Sequence, residues 1–211
     1  MREKSKIILI HGGNTFRSKR DYLSFLRNSD VKLLKNQKWQ NEYLDNELGE
    51  EYDIIRPIMP LKENAKYTEW KIFFEKYLQL VKTNYILIGN SLGGIFLAKY
   101  LSENKLINMP QSVFFVCPPF DNTLLGEELL GGFKLKSDLS IIERNCNKVH
   151  FMFSKDDNIV PINHSLKYKK RLPNSHFHIY ESKNGHFKIS KFPELIELIK
   201  IEETTSYMNS N

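Results

Sequence analysis

Short apolar runs separated by helix-patterned stretches constrain this chain most. Six β-rich runs stand out, at Lys6–Ile10, Tyr52–Ile55, Tyr85–Gly89, Ser112–Cys117, Lys148–Ser154 and His176–Glu181. Most are continuously apolar, not alternating, as in strands covered on both faces. Between them Trp70, Phe73, Phe74, Tyr77, Leu78 and Val81 recur at helical spacing, giving one apolar face. Ile95, Leu97, Ala98 and Leu101 pattern a second helix, and Phe192-Pro193-Glu194 opens a third, with Pro193 at its first position. This alternation predicts an α/β fold: a mostly parallel sheet of about six strands with helices on both faces.

The 211 residues suit one domain, expected over 1–201, with a polar, frayed tail at 202–211. Two connections are long. Residues 14–51 have room for two helices, the second around Trp39–Leu48, and residues 118–147 form a candidate cap or lid. No apolar run approaches the roughly 18 residues needed to cross a bilayer. Ile7–Ile10 is too short for the core of a secretory signal, and two cysteines make no disulfide framework, so the expected location is cytoplasmic. The net charge of +6 is spread along the chain; its densest cluster, Lys167–Arg171, reads as a solvated helix face, so no nucleic-acid partner is expected. Phosphate-loop and dinucleotide glycine patterns are missing, which disfavours nucleotide binding.

The stretch Gly89-Asn90-Ser91-Leu92-Gly93-Gly94 joins an apolar run to a helix pattern. The pattern G-x-S-x-G arises by chance in about one 200-residue chain in fifteen. Its position between a buried strand and a helix gives it weight, because small residues on both sides of Ser91 permit a bend sharp enough to expose the hydroxyl. A serine nucleophile also needs a base, a group that orients the base, and oxyanion donors.

Four segments together resemble the α/β-hydrolase superfamily over nearly the whole chain. They are the elbow at Ser91, the strand ending in His11-Gly12-Gly13, the loop Ser154–Pro161, and Asn184-Gly185-His186-Phe187. The compact size and Arg56-Pro57-Ile58-Met59-Pro60, with Asn64–Tyr67 and Trp70 downstream, are similar to the RBBP9/YdeN-type serine hydrolases. The resemblance implies a triad in the order Ser91, Asp157, His186. Spacing to Pro161 favours Asp157 over Asp156, which would instead cap a helix or brace the turn. The resemblance also implies an oxyanion hole from the N–H groups of Gly13 and Leu92, with Asn14 the next choice. His11 is expected to orient that loop.

The implied activity is cleavage of an ester, thioester or related acyl bond in a small-molecule substrate, with no metal or organic cofactor. Asn14, Phe120, Leu124 and Phe133 are candidate substrate contacts, with Leu125 beside them, and their apolar character favours an acyl or aromatic group. A non-catalytic binding protein of the same fold, and an acyltransferase or peptidase using the same triad, remain alternatives. His150 is expected to pack inside its strand and His164 to begin a helix. His176 and His178 share a strand face without an indicated third ligand, so no zinc site is expected. Cys117 and Cys146 read as packing residues. The sequence does not indicate an oligomeric state.

Overall fold

The computed structural model describes residues 4–30, 38–81 and 85–208, with side chains to Glu202. Six strands, β1 (Ser5–Ile10), β2 (Tyr52–Ile55), β3 (Tyr85–Asn90), β4 (Ser112–Val116), β5 (Lys148–Ser154) and β6 (His176–Tyr180), form one sheet in the order β2-β1-β3-β4-β5-β6. Every pairing is parallel. Each strand ends within one residue of its sequence-expected limits.

Alternation along the central strands separates two cores. Ile8, Ile10, Leu87, Val113, Phe115 and Phe151 face α3 (Tyr67–Leu78), α4 (Leu92–Glu103), α5 (Ile141–Asn145) and α6 (Asn163–Arg171). Ile7, Leu9, Ile86, Ile88, Phe114 and Met152 face Trp39, α2 (Leu44–Leu48) and α7 (Pro193–Met208). Burial on both faces explains why these strands lack polar alternation.

The first long connection contains α1 (Lys19–Asn28), capped where the Asp21 N–H donates to Ser18 Oγ at 3.1 Å. Its second expected helix appears as one π-type turn, Trp39–Tyr43, running into α2. Trp39 meets Phe192 edge to face, with ring centroids 5.4 Å apart. The expected domain end at 201 falls inside α7, whose backbone stays helical to Met208, and residues 209–211 lie outside the described residues. Gln111 Nε2 donates to the Glu202 carbonyl at 2.9 Å, tying that turn to the sheet.

The strand order reverses between β1 and β3, as the chain goes outward to β2 and returns on the other side of β1. Parallel sheets open a crevice at the carboxyl ends of strands at such a point. His11 leaves β1 there, and Ser91 leaves β3 beside it, with Ile10 paired to Gly89.

Candidate active site

Ser91 sits at φ 53°, ψ −118°, a region that side-chain-bearing residues rarely occupy and that costs roughly 1–3 kcal/mol. Its N–H donates to Val116 O at 2.8 Å, and its carbonyl accepts from the Gly94 N–H at 2.8 Å. The flanking glycines make the bend possible. A Cβ on Gly93 would lie 2.3 Å from Ile10 O and 2.6 Å from His11 O, and one on Gly89 would lie 2.6 Å from Gly93 O. Leu92 is the first residue of α4. Its N–H therefore has no acceptor within the helix, and the positive end of the helix dipole points toward Ser91.

Ser91 Oγ lies 2.8 Å from His186 Nε2, and His186 Nδ1 lies 2.8 Å from Asp157 Oδ2 and 3.0 Å from Oδ1. With Asp157 as acceptor, Nδ1 carries the ring proton and Nε2 is free to accept from the hydroxyl. Asp157 is buried, and its Oδ1 also accepts the N–H groups of Ile159 and Val160, each at 2.9 Å. Asp156 instead holds the next loop, accepting from Ser154 Oγ, Ser182 Oγ and the N–H groups of Lys183 and Gly185, the last two at 3.0 Å. This is the turn-bracing role anticipated for the second aspartate. The Gly185 N–H, then the Ser154 and Ser182 hydroxyls, hold its carboxyl well below the usual carboxylate range.

Burial pushes the His186 pKa down, but Cys117 and Asp157 outweigh it, leaving it above the ordinary imidazole value. Burial also raises the Cys117 thiol, which stays protonated near neutrality. The persistent upward influence on His186 is therefore Asp157, acting through its hydrogen bond and its charge.

His11 shapes the neighbouring turn. Its Nδ1–H donates to Gly12 O at 2.6 Å, and the Met59 N–H donates to its Nε2 at 3.0 Å. Gly13 packs so closely that a Cβ would lie 2.5 Å from Lys62 O and 3.2 Å from Leu92 Cδ2. The Asn14 N–H is occupied, donating to Lys62 O at 2.8 Å, so it does not serve as the next oxyanion donor. The Asn14 side chain reaches the cleft and donates to Glu63 Oε2 at 2.7 Å.

The remaining candidates separate. Leu124 lines a small cavity with Ser91 and Leu92. Phe120 packs edge to face on Tyr168, and Leu125 is exposed. Phe133 is fully buried against Tyr67 and Trp70 and lines neither cavity at Ser91. Hydrophobicity singled out both phenylalanines, but in an irregular segment it does not distinguish a substrate wall from a core anchor. His150 packs in β5 between Phe114 and the β6 histidines, and His164 near the start of α6 accepts the Phe120 N–H at 2.9 Å.

Sequence reasoning missed Cys117 as a neighbour of His186: Sγ lies 3.7 Å from His186 Nε2 and 3.8 Å from Asn90 Oδ1. It also missed the cleft's polar side, where Lys38, Gln40, Lys62 and Glu127 join Ser91 and His186 around about 290 Å³. Their segments carry no motif. Cys117, Asp157 and His186 place one ligand atom each within 4.8 Å of one another. Both His186 nitrogens already face Asp157 and Ser91, so a metal there would displace that chain. A larger cavity of about 390 Å³ near Tyr85 and Tyr100 lies at the amino end of β3, away from Ser91.

No family model matches the chain, and no curated protein matches its sequence. Solved structures do match. The ydeN gene product of B. subtilis superposes with TM-score 0.73 at 18% identity, over 95% of this chain and all of that one. A meta-cleavage product hydrolase from Pseudomonas fluorescens gives 0.64 at 14% identity, over 97% and 92%. A lipase-esterase related protein from Clostridium acetobutylicum gives 0.59 at 15%, over 93% of each. At such identities the likeness carries the fold, and the fold is that of the α/β-hydrolases. No helix among the described residues is long and apolar enough to cross a membrane.

Proposed function

We propose that this protein is a serine hydrolase that cleaves an ester, thioester or related acyl bond. The observation carrying the reading is the unbroken chain from Ser91 Oγ through His186 to Asp157, at 2.8 Å on each side of the ring. Ser91 Oγ attacks the acyl carbon while His186 Nε2 takes its proton. The N–H groups of Leu92 and Gly13 receive the oxyanion, which collapses as the bond to the leaving group breaks and His186 returns the proton to it. Water then attacks the acyl-enzyme by the same proton path, releasing a carboxylic acid and free Ser91. Asp157 fixes the ring tautomer and stabilises the imidazolium. Of the expected cap segment 118–147, residues 118–140 act as a cap over this site within one domain, and the rest forms α5 and the lead into β5. The free thiols of Cys117 and Cys146 are in keeping with a cytoplasmic setting.

The test is labelling by a fluorophosphonate probe. The wild type is expected to label, and Ser91→Ala and His186→Ala to remain unlabelled. A folded wild type that does not label would overturn the reading in favour of a binding role.

A further inference from the structure

Two unlike compartments meet at Ser91, and His186 tells them apart. The leaving group must sit where His186 Nε2 can return a proton to it, so it occupies the compartment that His186 lines. That is the cleft of about 290 Å³, whose lining among the described residues has no apolar side chain. Asn14, Gln40, Lys62 and Asn90 offer hydrogen bonds there.

The acyl substituent must point away from His186 while the carbonyl oxygen faces Gly13 and Leu92. Both residues line the second compartment, which has Pro119, Leu124, Leu129, Ile159 and Val160 along its apolar wall and Thr15, Glu127 and Glu128 on its polar side, Glu127 being shared with the cleft. Its volume is about 10 Å³, room for roughly one water-sized group.

The apolar wall is fastened from several sides. The Leu125 N–H donates to Ile159 O at 3.0 Å, and the Leu130 N–H donates to Thr15 Oγ1 at 2.8 Å. Thr15 Oγ1 donates in turn to Glu128 O. Upstream, Tyr168 Oη donates to Pro119 O at 2.8 Å. Lengthening the acyl chain would mean breaking several of these bonds.

We infer that the substrates are short-chain acyl esters, of acetyl size, of polar alcohols: the small compartment, with its apolar wall of Pro119, Leu124, Leu129, Ile159 and Val160, sets the acyl length and the polar cleft takes the alcohol. This rests on the serine-hydrolase reading.

The experiment compares acetyl, butanoyl and octanoyl esters of one alcohol, and glyceryl acetate with hexyl acetate, in the wild type. Inactivation by methanesulfonyl fluoride and octanesulfonyl fluoride is measured in parallel, placing the same chains in the acyl compartment without turnover. The expected kcat/KM falls by about tenfold or more from acetyl to octanoyl. Glyceryl acetate is expected to exceed hexyl acetate, and the short sulfonyl fluoride to react faster. Leu124→Ala and Leu129→Ala should each move the octanoyl-to-acetyl ratio upward, and two separate wall positions guard against one variant failing to fold.

Octanoyl esters cleaved as well as acetyl esters, hexyl acetate matching glyceryl acetate, or faster reaction of the long sulfonyl fluoride would overturn the assignment and leave the serine hydrolase standing. If no ester turns over, the sulfonyl pair alone decides the acyl side. No turnover together with an unmodified Ser91 would overturn both.

Discussion

Ser91 and Cys117 occupy matching positions at the ends of neighbouring strands. Asn90 pairs with Val116, and the next residue on each strand turns to positive φ, 53° at Ser91 and 41° at Cys117. Each donates its N–H one strand further along, Ser91 to Val116 O and Cys117 to Met152 O, both at 2.8 Å. Each brings its side chain toward His186 Nε2, the hydroxyl to 2.8 Å and the sulfur to 3.7 Å. Beyond the turns the two chain paths part. Ser91 opens α4, whose first N–H is free to meet an anion, whereas Cys117 leads into Pro118-Pro119 and an irregular segment. Two similar backbone turns therefore yield one hydroxyl with an adjoining helix terminus and one buried thiol with none.

The largest effects should separate the two turns. Ser91→Ala is expected to reduce kcat by about 10⁴-fold or more. The residual rate should be insensitive to iodoacetamide; a thiol-dependent remainder would show that Cys117 can act as a nucleophile. Asp157→Asn is expected to cost about 10⁴-fold in kcat through the wrong histidine tautomer. Gly13→Ala would push a Cβ to within 2.5 Å of Lys62 O, and displacing that donor should lower kcat about 10²–10³-fold. Asp156→Asn should act more mildly, about tenfold in kcat, with a lowered melting temperature, because it loosens the 182–185 turn while leaving the Asp157 contact in place. The smallest effect is expected for Cys117→Ala, within about threefold in kcat/KM at neutral pH, because the thiol is uncharged and needs no partner in the acyl step.

The parts legible in the sequence are those that local backbone rules build. Continuous apolarity marked the strands, and the glycines at 89 and 93 marked the turn, because a Cβ at either would strike backbone atoms. Ser91, Asp157 and His186 converge because each follows a strand end on the same edge of the sheet. Cys117 sits in an equivalent turn but lacks flanking glycines, so nothing in its neighbours announces the geometry. The walls around Ser91 were less legible for a related reason. Leu124 and Phe133 are both apolar and nine residues apart, yet bonds to distant groups such as Thr15 and Ile159 decide which one borders the cavity.

The histidine in the first strand's turn has a bearing on how the pH response should look. Burial, the foremost influence, lowers the pKa of His11, and both ring nitrogens are already engaged as donor and acceptor. The turn carrying Gly13 thus keeps one shape while His186 titrates above the ordinary imidazole range. Because the base works only when neutral, kcat/KM should climb with pH along a single ionisation whose midpoint exceeds about 6.5. A second inflection would mean that the frame itself titrates or that Glu127, a cleft carboxyl whose pKa burial raises, ionises in the same range. Without one, the acid limb is a one-proton readout of the base, measured against scaffolding that stays electrically silent.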